Sequence, residues 1–270
     1  MNIGEILSFI GIPLGIATGI MLLGTWLRSS NSIRATLPII SISVASVAAF
    51  VLQDGWPSIP PSQKWHWLII STFAVSLAAI VFTCFNIKSY MTVAAAFIVA
   101  FLMQFPNQDY YLFRILVVAL VMTTGLSLKK LSASSWHTYV TSWAILAGYS
   151  LLALFSGFAK LAFFTGAISA VCAALFVLEL IKPDENKNGV HVLLGTIIIG
   201  CALCGFAYDQ TEKHSLIWFL PLISLPIASL IAISKKINIR NTVSLLIVHI
   251  FVFTAVLWSI LSIEQTDSWP

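Results

Sequence analysis

Two ionisable side chains interrupt otherwise apolar stretches of this 270-residue chain. His249 lies between Val248 and Ile250, and Glu179 stands three residues before Lys182. An ionisable group at such depth in hydrocarbon is expensive, which makes each a candidate for function. His249 could relay a proton, ligate a cofactor or contact a solute; the plainer alternative is a neutral imidazole hydrogen-bonded to a neighbouring helix. Glu179 could belong to the same path, or could pair with Lys182 on one helix face near the interface. Pro221 and Pro226 join them because each removes a backbone hydrogen bond that a neighbour or water must restore, although ordinary kinks do the same. His249, Glu179, Pro221 and Pro226 thus form a candidate solute or proton path.

A second constellation lies near the ends of apolar runs. Asp54, His66, Asp109 and Arg114 combine acid, imidazole and guanidinium, and their convergence would make a polar cluster on one membrane face. Arg114 and Lys160 have a simpler use as anchors, since long cationic stems reach lipid headgroups. Facing inward with Lys213 and His214, they would instead form an anion-attracting mouth. Other chemistry is absent from the sequence. There is no H-E-x-x-H, G-x-S-x-G or P-loop lysine, and no apolar run holds two carboxylates. Cys201 and Cys204 make a C-x-x-C between Gly200 and Gly205, with no second pair, which suits a small-residue packing face better than a redox or metal site. No catalytic residue, cofactor or metal ligand is expected.

The elements that must carry these residues are predicted from hydropathy. Charged residues are 9% and hydrophobic residues 59% of the chain, against roughly 25% charged in a soluble domain. Ten apolar runs, 5–27, 36–53, 67–85, 90–105, 111–128, 136–155, 160–181, 190–208, 215–234 and 242–263, are about 15 to 23 residues long. About 20 residues cross a bilayer core as a helix, and a β-barrel would alternate polar and apolar residues instead. The expected fold is an all-α polytopic membrane protein of about ten transmembrane helices, a single helical domain over 1–270.

Charge sets the expected orientation. Arg28, Arg34, Lys88, Lys129, Lys130, Lys182, Lys187, Lys235, Lys236 and Arg240 fall in alternate gaps, leaving only Lys64, Arg114, Lys160 and Lys213 in the others. Basic residues near span ends resist translocation, so the richer gaps are cytoplasmic and both termini lie on the periplasmic or extracellular side of a cell (inner) membrane. The net charge of +4 follows from those loops and implies no nucleic acid. The longest outer connection, Asp54 to Lys64, contains Asp-Gly and three prolines and is expected to form an ordered cap, with Trp65 and Trp67 in the headgroup zone.

Ten spans divide into halves, 1–128 and 129–270, of opposite orientation. A shift of 126 residues lays Ile42–Pro57 on Ile168–Pro183 with seven identities in sixteen positions, and Arg114 on Arg240. The second and seventh spans are a pairing that an inverted repeat requires. The remaining spans match poorly.

Three functional readings stay open. The first is a permease or carrier for a small, uncharged or weakly charged solute. The second is a non-catalytic subunit or scaffold working with other membrane subunits. The third is an enzyme acting on lipid-type substrates at the outer face. Whether the chain is an enzyme is undecided, with the balance against. The bilayer is the one partner all three share. A reporter fused after Pro270 should report the outer compartment and one fused after Lys130 the cytosol; a cytosolic signal from the first would reverse the map.

Overall fold

A computed structural model describes residues 3–26, 31–57, 61, 63, 65–85, 87, 90–102, 110–131, 135–181, 189–208, 215–233 and 240–264. Those residues form no strand. They form ten α-helices: α1 (Ile3–Trp26), α2 (Asn31–Asp54), α3 (His66–Cys84), α4 (Met91–Leu102), α5 (Tyr110–Leu131), α6 (Ser135–Phe155), α7 (Ala159–Ile181), α8 (Val190–Tyr208), α9 (Leu220–Ile233) and α10 (Arg240–Glu264). A 3₁₀ turn, Ser215–Phe219, leads into α9.

Long apolar sequences become helices here because a helix satisfies every backbone N–H and C=O within itself, which hydrocarbon demands. Eight of the ten are long and apolar enough to cross a membrane. The exceptions are α4, with 12 residues, and α9, with 14. The 12 residues of α4 rise about 18 Å, while α9 and the 3₁₀ turn that runs into it rise about 31 Å together, close to the roughly 30 Å core. Pro13 and Pro38 lie inside α1 and α2 without ending them.

The helices are arranged around α8. Of its apolar window 83% is buried, against 17% for α1 and for α10. Among its neighbours are α3, α5, α6 and α4, while α1 lies outside on α2 and α7, and α10 outside on α6 and α9. α6 and α7 share the most extensive contact, α2 packs on α7, and α3 on α8. Small residues set the closest approaches, as expected where packing rather than water exclusion drives association. A Cβ on Gly195 of α8 would lie 3.5 Å from the backbone of Gly125 on α5. One on Gly205 would stand 2.1 Å from the Trp218 ring. Cys201 and Cys204 are free thiols, fully buried on the same helix.

Interior hydroxyls mostly turn back on their own helix. Thr72, Ser76, Thr83, Thr165 and Thr196 each donate to the carbonyl four residues earlier. That bond occupies the hydroxyl proton within the helix itself. Ser43 and Ser76, 2.6 Å apart, link α2 to α3.

Gly205→Ala should cost about 1–3 kcal/mol through overpacking against Trp218. Gly11→Ala should cost nothing comparable, because no atom lies within 4 Å of its added Cβ. Thermal unfolding in detergent checks this; equal midpoints for the two variants would contradict a tight fit of Gly205 to the indole.

Candidate functional site

Asp54 ends α2, His66 opens α3, and Lys160 lies in the first turn of α7. Two left-handed glycines bring them together. Gly55 (φ 73°) caps α2 by donating its N–H to Val51 O at 2.9 Å, and turns the chain back toward α3. Gly157 (φ 76°) closes α6 in a Schellman turn, with Phe158 N–H on Ala153 O and Gly157 N–H on Leu154 O. That turn restarts the chain as α7 and sets Lys160 beside the end of α2.

Both carboxylate oxygens of Asp54 are engaged. Oδ2 lies 2.8 Å from His66 Nε2, and Oδ1 accepts from Lys160 Nζ. The Asp54 side chain is 13% exposed and that of Lys160 43%, while His66 is buried. Because a carboxylate only accepts, His66 Nε2–H is the donor in that contact. Nδ1 is buried with no hydrogen-bond partner among the described residues.

Helix electrostatics alone would not put these residues here. The C-terminus of a helix repels an anion, and an N-terminus repels a cation. Asp54 stands at the first kind of end and Lys160 at the second. Each is placed against its own helix dipole, so the two offset one another across helices.

An aromatic layer surrounds the charges. Trp65 is fully buried, its ring centroid 4.3 Å from Phe50 and 6.2 Å from Phe158, with Lys160 Nζ 5.8 Å above it. Its backbone N–H points to the Tyr208 hydroxyl at 3.4 Å, and Tyr208 packs on Phe158 at 4.5 Å. The ends of α2 and α8, the start of α3 and the α6–α7 turn are thereby stitched into one closed layer. Trp65 is thus packed inside the bundle, whereas Trp56, 78% exposed, is an outward ring of that segment. Chemically the arrangement can hold a proton and tie α2, α3 and α7 together through Asp54.

Of the four residues expected in this cluster, Asp54 and His66 meet. Arg114 is half-buried on α5, which packs on α4, α8 and α9. Asp109 lies outside the described residues, as do Lys182, Lys213 and His214. Lys160 takes the cationic place. Its signal in the sequence was faint: a lone cation just after a helix-stopping Ser-Gly-Phe turn.

The other candidate path is not brought together. His249 faces outward from α10, and its Nδ1–H donates to Leu245 O on its own helix at 2.7 Å. Glu179 is buried near the end of α7, whose principal neighbours are α6, α1 and α2. Pro226 lies inside α9, whereas Pro221 is the second residue of that helix, where a missing N–H costs little. Among the described residues, no group of three or more His, Cys, Asp or Glu side chains could hold a metal ion. No protein-family model, curated protein or solved structure matches the chain.

Asp54→Asn should destabilise the fold by about 1.5–3 kcal/mol, as expected for charge-assisted bonds. Lys160→Met should cost less than about 1 kcal/mol because its ammonium is partly in water. Unfolding midpoints read the order directly, and a larger loss for Lys160→Met would make the lysine, not the carboxylate, the centre of the group.

Proposed function

We propose that this chain is a carrier-like permease for a small, neutral or weakly charged solute, built as two five-helix halves of opposite orientation with both termini outside. One observation carries the reading. The two shortest α-helices, α4 and α9, hold equivalent positions in a five-plus-five division. Shortened segments at matching places in two halves are where inverted-repeat carriers build their solute sites.

Two further features support it. The equivalent helices α2 and α7 pack on each other, as do α3 and α8, which suits elements lying about a pseudo-two-fold axis. Gln53 and Glu179 also coincide under the 126-residue shift. The Asp54 layer then has a role: Asp54, His66 and Trp65 belong to one half and Lys160, Phe158 and Tyr208 to the other. Their contacts would close the seam on the outer side, and opening it requires parting an ion pair rather than a greasy interface. A solute of low charge fits an interior whose polar lining is mainly hydroxyls.

The test is stopped-flow swelling of proteoliposomes in iso-osmotic glycerol, monosaccharides and zwitterionic amino acids. At least one class should enter about tenfold faster than in protein-free liposomes. Asp54→Asn should change that rate while the variant stays folded. No acceleration for any of the three classes would remove the permease reading in favour of a subunit or an enzyme.

A further inference from the structure

The outward face of α10 holds a second feature, independent of the permease reading. Between α6 and α10 lies a pocket of about 530 Å³, lined almost wholly by apolar side chains. Its construction is local. A Cβ on Gly148 would stand 2.4 Å from Val252 Cγ1, so the two helices touch there. Ala144 and Ala147 are too small to fill the hollow beside that contact, while Trp143 and Phe253 form part of its walls.

Two lining side chains carry polar atoms, Trp143 with its indole N–H and His249, the one with an acceptor. The residue lies nine positions after the first residue of α10, about 14 Å along the helix axis. Its Nδ1–H is already committed to Leu245 O. In the neutral ring the lone pair therefore sits on Nε2, for which the described residues supply no donor. A polar atom left unsatisfied in hydrocarbon costs several kcal/mol, and lipid tails offer it nothing.

The pocket's volume is that of a small-molecule site, which falls between roughly 300 and 1,000 Å³. No basic side chain lines it, so a lipid phosphate, a fatty-acid carboxylate or haem propionates would find no counter-charge. What fits is an apolar body with one donor. We propose that the α6–α10 pocket binds a neutral, lipid-soluble molecule carrying a hydroxyl, a phenol or long-chain alcohol, whose O–H is donated to His249 Nε2.

The probe is radiolabelled 4-nonylphenol, with 4-nonylanisole as the isostere lacking the donor, in phosphatidylcholine nanodiscs containing the full chain. The phenol should bind saturably at one site per chain, about tenfold tighter than the anisole. In His249→Phe the phenol should fall to the anisole's affinity, and in Ala147→Phe, which fills the hollow, both should lose saturable binding. Equal affinity of the two probes for the unaltered protein would overturn the proposal, as would discrimination that survives His249→Phe. Because His249 projects from the outside of the bundle, its replacement should leave the thermal unfolding midpoint unchanged. Should that variant not fold, the Ala147→Phe result decides alone. Solute swelling is not part of the readout, so loss of the permease reading leaves this test intact.

Discussion

The centre of this bundle depends on α8 being surrounded. Apolar side chains gain little by leaving lipid for the interior of a protein, so a helix buried on all sides must be held by packing, and packing requires small residues. α8 supplies them at Gly195, Gly200, Cys201, Ala202, Cys204 and Gly205. The approach of its Gly195 to Gly125 admits α5, and the fit of Gly205 to Trp218 seats the turn before α9. The Tyr149 hydroxyl, bonded to Trp218 O at 2.9 Å, extends that contact to α6.

The polar residues follow a different logic. Many serines and threonines bond to carbonyls of their own helices, and a few, such as Ser43 with Ser76 and Ser150 with Ala162 O, join one helix to another. Long-range direction comes from the Asp54 group, where an anion and the Lys160 ammonium sit at helix ends that disfavour them. Their mutual attraction, in partly dry surroundings, exceeds what the same pair would gain in water. The bond from Lys160 to Asp54 spans 106 residues of chain and joins the second half of the sequence to the first.

The helices and their approximate ends were legible in the sequence, and so was the pairing of Asp54 with His66, because only 12 residues separate them and the connection is bent by Asp-Gly. Lys160 looks, from sequence, like an anchor or part of a cationic mouth. Nothing local marks its partner, since the pairing is created by the α6–α7 turn meeting the end of α2. Arg114 offered the same charge at a similar helix end and took no part in the Asp54 pair. The outward aspect of His249 was hidden for a related reason. α10 is apolar on all sides, so its sequence carries no stripe to say which face is inside.

Sequence by itself determined that this chain is a set of apolar helices, because a backbone in hydrocarbon must bond within its own segment and long apolar runs have no other stable form. Tertiary structure alone decided which helix is central, which cation meets Asp54, and that His249 lines a lipid-side hollow. Those outcomes rest on close approach between small residues and on charges meeting across the bundle. Neither leaves a periodic trace along the chain, since hydropathy is nearly uniform around each helix and the partners are distant in sequence.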